Sequence, residues 1–478
     1  MPNILDHLTV PLAGMHLIEA SAGTGKTWAI ASLYLRMLLE KELDPEKILV
    51  VTYTEAATQE LRGRIRGRIR EALEVMQGAE PPDPFLDALR RSVAGSGSLD
   101  EAARRLDSAL AAFDTASIFT IHGFCLRALQ DHAFESGALY DTGLVTDQAP
   151  LLREVADDFW RGRFFREESP LLGYAMQRGC SPEAFMKLLR ELNASSWCQV
   201  VPSFSEAAVS AIESSCRSAF DEVCRIWTGD RAGIADLLRN DKGLSRSAEG
   251  YRIDRVETVL EVMDAYVAEG KPFAIFEGFP LLTASGIKQG TKGKGTSPQH
   301  ELFDACERML AAADERITAL KHELLAFGRE RLPKRKREGN VRFFDDLLAE
   351  LWLALSDGTG GGVLAERLRL RYRAALIDEF QDTDPVQYDI FRKIYTGSGL
   401  PLFLIGDPKQ AIYSFRGADI FAYLTAASEI GAGERHTLVS NWRSDPALLR
   451  AFNNLFDDAG KPFVFDGISY HPLVPGAG

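Results

Sequence analysis

Apolar and polar positions follow two alternating patterns over the first 125 residues. Short apolar runs, typical of buried parallel strands, occur at residues 15–18 and 48–51. Each run is followed by apolar residues at helical spacing, such as Ile30, Leu33 and Met37 after the first. A further buried-strand pattern precedes the His-Gly pair at 122–123. This alternation of strands and helices predicts a parallel sheet.

The pattern changes to helical spacing from about residue 130 to 345. Leu310, Ile317, Leu320 and Leu324 recur at intervals of three, four and seven, which predicts one long helix. Residues 285–300 are rich in Gly, Lys and Ser and predict a loop. Apolar runs typical of strands return at 374–377 and after residue 400, and a further strand is predicted at 436–439. The whole pattern predicts an α/β fold in which a large helical insertion interrupts one sheet.

The turn after the first strand has the chemistry of a phosphate-binding loop. Gly23 and Gly25 allow a tight bend that points successive N–H groups into one concavity, at the positive end of the following helix. Lys26 can then reach the β- and γ-phosphates, and the Thr27 hydroxyl can bind Mg²⁺. Ala20 stands where the common GxxxxGK[ST] pattern has its first glycine. The alternative is a glycine-rich turn with a surface lysine.

Two later strands end in residues that would complete a nucleotide hydrolase. Asp378 follows an apolar run and is a candidate Mg²⁺ ligand, and Glu379 is a candidate base. Gln410 follows the next strand and can contact a γ-phosphate. Aromatic side chains beside a cation can also stack unpaired bases, although core packing is an equal alternative. The residues of that kind after Gln410 are Tyr413, Phe415 and Arg416.

Composition narrows the class of protein only slightly. The chain has 478 residues and a net charge of −13, which gives no global sign of nucleic-acid binding. Local basic tracks exist, as in "LRGRIRGRIR", which includes Arg62 and Arg66. Six cysteines without a CxxC pair argue against zinc ribbons and iron–sulfur clusters. With no long apolar run and no signal pattern, we expect a cytoplasmic protein without a membrane segment.

Taken together, the motifs resemble superfamily 1 DNA helicases of the UvrD/Rep type. The resemblance rests on their order along the chain: "EASAGTGKT", "VVTYTEAATQELRGRI", "FTIHGFC", "FDDLL", "IDEFQDTDP", "LIGDPKQAIYSFRGADIF" and "NWRS". It implies a RecA-like P-loop NTPase fold, with the first motor domain in residues 1–130 and 341–435. The helical insertion would span 131–340, and residues 436–478 would begin a second RecA-like domain.

The resemblance also implies a role for individual residues, with ATP and Mg²⁺ as cofactors. Lys26, Glu379, Gln410 and Arg443 would be catalytic, Glu379 as base and Arg443 as arginine finger. The nucleotide would lie on the phosphate loop (Ala20, Ser21, Ala22, Gly23, Thr24, Gly25, Lys26 and Thr27), with Trp442 near the adenine. Thr27 and Asp378 would hold the metal. Single-stranded DNA would contact Thr52, Tyr53, Thr54, Arg62, His122, Tyr413, Phe415 and Arg416.

Within this family, the particular residues of the motifs resemble those of the helicase subunit of a helicase–nuclease complex that acts on double-strand breaks. Its ligands would be single-stranded and duplex-end DNA together with two partner subunits. Because family members continue through a second motor domain and this branch adds a nuclease, we expect both to be largely missing. The chain alone would then hydrolyse ATP weakly and not unwind DNA. Alternatives are another UvrD-type or AddA-like helicase, or a non-catalytic DNA-binding or assembly module.

Overall fold

A computed structural model provides the coordinates and divides the chain into two compact units. The described residues are 3–133, 143–145, 147–165, 170–194, 199–247, 250–293, 295–358, 360–414, 417–457 and 462–476. One unit consists of Met1–Leu144 with Arg342–Gly478, and the other of Val145–Val341.

The first unit is built on a seven-stranded sheet in the order β1-β9-β2-β8-β7-β3-β4. Strands in chain order are β1 (Asn3–Ile4), β2 (Met15–Ala20), β3 (Ile48–Thr52), β4 (Ile118–Thr120), β5 (Gly143–Leu144), β6 (Val341–Arg342), β7 (Ala374–Ile377), β8 (Leu402–Gly406), β9 (Arg435–Leu438), β10 (Ser440–Asn441) and β11 (Val474–Pro475). The pairings within the seven-stranded sheet are parallel. The predicted α/β fold with a parallel sheet is therefore confirmed.

Helices cover both faces of this sheet. They are α1 (Lys26–Glu40), α2 (Glu55–Met76), α3 (Pro84–Ser96), α4 (Leu99–Ala111), α5 (Ile121–Asp131), and, after the second unit, α13 (Phe344–Ser356), α14 (Gly361–Arg371), α15 (Pro385–Tyr395), α16 (Ile420–Glu429) and α17 (Pro446–Asp457). Successive strand residues point to opposite faces, so Ile18 packs with α1 and α2 while Leu17 packs with α13 and α15. Apolar side chains thus fill a core on each face of the sheet, as expected for parallel strands.

The second unit is helical. Its helices are α6 (Ala149–Phe164), α7 (Leu172–Gln177), α8 (Pro182–Ala194), α9 (Glu206–Asn240), α10 (Ile253–Glu269), α11 (Ala284–Gln289) and α12 (Glu301–Glu338). The long helix predicted from periodicity is α12, whose Ile317, Leu320 and Leu324 are buried in one apolar core. Arg316 of α12 is also buried and forms ion pairs with Glu213 and Glu323.

Two expectations differ from the structure. Residues 285–300 are not all loop, because Thr283 caps α11 by accepting a hydrogen bond from the Gly286 N–H, and Ile287 is buried. The strand at 436–439, assigned from the resemblance to a second domain, instead pairs with β2 as β9. Its apolar side chain Leu438 packs into the first unit's core, which explains its place there.

Candidate active site and nucleic-acid interface

The phosphate loop forms where β2 meets α1. Gly23 and Gly25 have φ values of 80° and 85°, in the left-handed region that favours glycine. A Cβ on Gly23 would lie 2.7 Å from the Arg443 Cβ, so this turn needs glycine for its close approach as well. Gly25 is the N-cap of α1, and the helix begins at Lys26. The positive end of α1 therefore faces the loop, which suits a bound phosphate.

Lys26 and the two predicted acidic residues meet at this loop. The Lys26 Nζ lies 2.5 Å from Glu379 Oε2. Burial opposes ionisation of Glu379, but the Lys26 ammonium and hydrogen bonds from Gln381 and Lys26 outweigh it and lower the pKa of this carboxyl. Burial raises the pKa of Asp378 to about 6, although the Lys26 charge acts in the other direction. A carboxylate that is costly to ionise without a cation is suited to holding one.

The backbone at Glu379 is strained. Its φ of 50° and ψ of 41° place it in the left-handed region, where a non-glycine residue costs about 1–3 kcal/mol. The Glu379 N–H donates a 2.9 Å hydrogen bond to Asp378 Oδ1. Strain of this kind is common at functional sites, because it aims a side chain that relaxed backbone would direct elsewhere.

Asn441, the last residue of β10, and the two residues after it lie against the phosphate loop. The Trp442 N–H donates to the Gly23 carbonyl at 2.8 Å, and the Asn441 amide donates to the Ala22 carbonyl at 2.8 Å. Trp442 and Arg443 are exposed and line the same cavity as Lys26. Asn441 was not predicted as a single site residue, although it lies in the "NWRS" motif, because its bond to Ala22 joins residues more than 400 positions apart.

These elements enclose a cavity of about 1010 Å³. The predicted residues lining it are Ser21, Ala22, Gly23, Thr24, Gly25, Lys26, Thr27, Asp378, Glu379, Gln410, Trp442 and Arg443. Ala20, the last residue of β2, is fully buried and is not among the residues that line the cavity. Gln410 is anchored by donating from Nε2 to Asp407 Oδ2 at 2.7 Å.

The cavity is also lined by an aromatic group that sequence reasoning missed. Trp28 is partly exposed, and its ring makes edge contacts with His7 at 4.7 Å and Phe85 at 5.3 Å between centroids. The Arg68 guanidinium lies 5.2 Å from the Trp28 ring centroid. Burial lowers the pKa of His7 to about 4, so its imidazole is neutral at pH 7. The sequence signal for this group is that an aromatic residue, Trp28, directly follows Gly25-Lys26-Thr27.

The predicted DNA-contacting residues separate into two groups. Tyr53 and Tyr413 follow β3 and β8, and their rings stack with centroids 6.3 Å apart. His122 lies at the start of α5, and its ring makes an edge contact with Phe344 at 5.9 Å. Burial lowers the pKa of His122. Phe344 is partly exposed and was not predicted as a single residue, although it lies in the "FDDLL" motif.

Three other candidates are occupied by contacts within the protein. The Thr52 hydroxyl is buried and lies 2.8 Å from the Thr58 hydroxyl. Thr54 is the N-cap of α2 and accepts from the Ala57 N–H at 3.1 Å. Arg62 donates from Nη2 to two carbonyls of the β4 segment at 3.4 Å. These side chains support the local fold, and their contact with DNA stays a prediction; Phe415 and Arg416 lie outside the described residues.

Comparison with known proteins identifies the family. The sequence profile of the UvrD/REP helicase N-terminal domain matches residues 4–431. The chain belongs to the UvrD/REP helicase family. It is 37% identical to the RecBCD enzyme subunit RecB of Escherichia coli K12 over 98% of its length. It is 34% identical over 98% to the same subunit of Haemophilus influenzae, and 30% identical over 93% to that of Mycobacterium tuberculosis H37Rv.

The match covers only part of these relatives. The chain spans 40% of the Escherichia coli subunit, 42% of the Haemophilus subunit and 30% of the Mycobacterium subunit. The seven-stranded parallel sheet is consistent with membership of the UvrD/REP family. Membership also implies that the protein uses a nucleotide. Among the described residues, no helix has the length and apolarity needed to cross a membrane.

The residues around the phosphate loop suit an Mg²⁺ ion that is bound partly by water and phosphate. They suit less well a metal ion whose ligands all come from the protein. Asp378 and Thr27 line the same cavity and would supply one carboxylate and one hydroxyl oxygen. The described residues contain no cluster of three or more His, Cys, Asp or Glu arranged to hold a metal. A magnesium ion that keeps several waters and binds substrate phosphates needs only one or two protein ligands.

Proposed function

We propose that this chain is the ATP-binding part of a DNA helicase subunit of the RecB type. It would bind ATP with Mg²⁺ in the cavity at the phosphate loop, and in the complete subunit hydrolysis there would drive movement along single-stranded DNA. The observation that carries this proposal is the convergence of Lys26, Asp378, Glu379, Gln410 and Arg443 on one cavity. Their residue types provide a phosphate cation, a metal ligand, a base, a γ-phosphate contact and a transition-state cation.

The side chains would act in a defined order. Lys26 leaves Glu379 when triphosphate enters, because a phosphate is a stronger partner for the ammonium than one carboxylate. Glu379 is then free to accept the proton of the attacking water. Arg443 approaches the phosphates from the loop after β10 and stabilises the charge that develops there. Bound Mg²⁺, held by Thr27 and Asp378, would neutralise charge on the phosphate oxygens.

DNA would bind at the ends of β3, β4 and β8. The stacked pair Tyr53 and Tyr413 and the pair His122 and Phe344 present aromatic faces to unpaired bases, an arrangement that does not depend on base sequence. The family resemblance implies that Gln410 couples the nucleotide to DNA, and its place in the cavity lining, shortly before Tyr413 in the chain, supports that role.

The partners follow from the relatives and remain part of the proposal. The relatives are named as RecB subunits of a RecBCD enzyme, which favours this reading over the AddA-like alternative. We therefore infer RecC-like and RecD-like subunits as protein partners, duplex DNA ends as substrate, and a role in double-strand break repair in the cytoplasm. The nuclease activity of exodeoxyribonuclease V would belong to a complex of that kind as a whole.

Steady-state ATP hydrolysis with and without single-stranded DNA tests this function. We expect hydrolysis that rises with DNA, and a loss of about 10²–10⁴-fold in Glu379→Gln, with ATP binding retained. The surface variant Glu154→Gln, on the helical unit, serves as the control and should match the unaltered chain. Hydrolysis that ignores DNA and survives Glu379→Gln would contradict the proposal.

A further inference from the structure

Gln381 is a buried glutamine beside the candidate base that none of the predicted roles uses. It lies in the short turn Phe380–Asp382 after β7 and is 2% exposed. Its Nε2 donates to Glu379 Oε2 at 2.7 Å and to Asp382 Oδ2 at 3.3 Å. Its Oε1 accepts from the Asp407 N–H at 2.9 Å. Both ends of the amide are therefore engaged.

These contacts connect the base to the residues that follow β8. Asp407 accepts from the Gln410 side chain through Oδ2 at 2.7 Å and from Lys409 Nζ through Oδ1 at 2.8 Å. A continuous line of hydrogen bonds thus runs from Glu379 through Gln381 and Asp407 to Gln410. Since Gln410 is the candidate γ-phosphate contact, the base and the phosphate contact share one support.

The packing fixes Gln381 in this position. A Cβ on Gly406, the last residue of β8, would lie 2.5 Å from Gln381 Oε1 and 3.0 Å from its backbone N. The turn can approach β8 this closely only because residue 406 is glycine. A side chain that is buried and hydrogen-bonded at both ends has few alternative rotamers, which suits a group that orients another.

The oxygen atoms of Glu379 show what Gln381 could do. Lys26 and Gln381 both contact Oε2, whereas Oε1 receives no hydrogen bond from the side chains that the structure describes. When the phosphates take Lys26, Gln381 would remain on Oε2 and leave Oε1 directed at water. We propose that Gln381 is a positioning residue that holds Glu379 in its reactive orientation once ATP is bound.

The inference rests on the proposed function and depends on the amide chemistry of Gln381. The side-chain amide of glutamine can donate to a carboxylate through its nitrogen and accept from a backbone N–H through its oxygen. A glutamate would keep the bond from Asp407 N–H but lose the donor and face the Glu379 charge. A methionine would keep the size and lose both bonds. If Gln381 had a purely structural role, replacing it would mainly lower the free energy of unfolding.

The test compares Gln381→Glu and Gln381→Met with the unaltered chain, Glu379→Gln and Gln387→Glu. Gln387 is a matched control because it is also buried, lies on α15 and is not in the cavity. Two quantities are measured at saturating single-stranded DNA: the single-turnover rate of ATP hydrolysis, and the affinity for ADP with and without aluminium fluoride, which imitates the transition state. ATP affinity is measured with a fluorescent ATP analogue.

We expect Gln381→Glu and Gln381→Met to reduce the hydrolysis rate about 10²-fold and to lose most of the aluminium fluoride enhancement. The ATP affinity of both variants should stay within threefold of that of the unaltered chain. Gln387→Glu should change neither the hydrolysis rate nor the aluminium fluoride enhancement. Hydrolysis by Gln381→Glu within threefold of the unaltered chain would overturn the inference. So would a parallel loss of ATP affinity and rate, which indicates a structural role.

The two levels of the proposal fail in different ways. If the aluminium fluoride enhancement vanishes in Glu379→Gln but persists in both Gln381 variants, the inference is wrong and the proposed function stands. If the unaltered chain binds ATP but aluminium fluoride does not raise its affinity for ADP, the site holds no poised base and the inference is also wrong. If Lys26→Ala binds ATP as well as the unaltered chain, the proposed function itself has failed.

Discussion

The nucleotide half and the DNA half of the first unit are built from the same sheet but use their polar residues differently. At the ends of β2 and β7, and after β10, the predicted residues Lys26, Asp378, Glu379 and Arg443 all reach one cavity. At the ends of β3 and β4, the threonines make hydrogen bonds within the protein, as does Arg62 on α2, and aromatic rings remain at the surface.

This difference follows from the chemistry of the two ligands. A triphosphate with a metal ion requires charges at fixed points, so its residues are held in place by hydrogen bonds and ion pairs. Single-stranded DNA of any sequence requires ring faces and a diffuse positive field, which tolerate looser placement. The comparison predicts that substitutions in the nucleotide half change rate, whereas those in the DNA half change affinity or stability.

The largest effect should come from Arg443. Arg443→Ala removes the one predicted transition-state cation after β10, so we expect a loss of about 10³-fold or more in DNA-stimulated ATP hydrolysis with ATP binding nearly unchanged. Arg443→Lys should restore little of the rate, because an ammonium does not reproduce the two-pronged guanidinium. Single-turnover kinetics measure this, and full activity in Arg443→Ala would break the assignment.

Tyr413 should show the opposite profile. Tyr413→Ala removes one face of the stacked pair with Tyr53, and we expect single-stranded DNA to bind about 1–3 kcal/mol more weakly. Tyr413→Phe keeps the ring and should bind DNA almost as well as the unaltered chain. Fluorescence anisotropy with a labelled oligonucleotide gives the affinity. Equal binding by Tyr413→Ala would remove this residue from the DNA interface.

Arg62 and Arg66 offer a matched pair on one helix. Arg62 donates to the carbonyls of Ala116 and Ile118. Arg66 is exposed on α2, where it lies 3.8 Å from an Asp114 oxygen and 5.9 Å from the Phe113 ring centroid. Arg62→Met should lower the free energy of unfolding by about 1–2 kcal/mol. Arg66→Met should leave stability unchanged and reduce the slope of log DNA affinity against log salt by about 1. Urea unfolding and salt titrations separate them, and reversed behaviour would refute the division of the two arginines.

The smallest effect concerns the scaffold shared by both halves. His16 on β2 and His436 on β9 are buried with ring nitrogens 3.3 Å apart. Burial lowers the pKa of both, and each charged ring would repel the other, although Glu434 acts in the opposite direction. In the unfolded chain both histidines take up a proton near pH 6.5, whereas in the folded chain they do so only at lower pH. Their contribution to the free energy of unfolding is therefore complete above pH 6.5.

Below pH 6.5 the free energy of unfolding should therefore fall, by up to about 1.4 kcal/mol per pH unit for each histidine. Urea unfolding at several pH values measures the slope, and His436→Gln should make it shallower. A slope unaffected by that substitution would mean that other groups cause the acid sensitivity.

Local motifs made much of the nucleotide half predictable. Gly25, Lys26 and Thr27 are adjacent in sequence, and the strand before them and the helix after them fix their geometry. Asp378 and Glu379 likewise follow an apolar strand. Gln381 and Trp28 were missed because their roles depend on Asp407, Phe85 and His7, which are distant in sequence.

The DNA half was harder because the same residue types serve two purposes. The resemblance placed Thr52 and Thr54 at the DNA, yet in the structure Thr52 bonds Thr58 and Thr54 caps α2. Competition between capping and ligand binding cannot be settled from spacing, since both favour threonine at that position. Strand β9 was misassigned for a similar reason, because a strand pattern does not specify its neighbours.

The most direct test of the account is calorimetric titration of Mg²⁺–ATP into the unaltered chain and into Lys26→Ala. We predict one site per chain, with affinity reduced at least tenfold in the variant, because a charge-assisted contact to phosphate is lost. Equal affinity in the two proteins, or no binding to the unaltered chain, would contradict the assignment of the cavity at the phosphate loop as a nucleotide site.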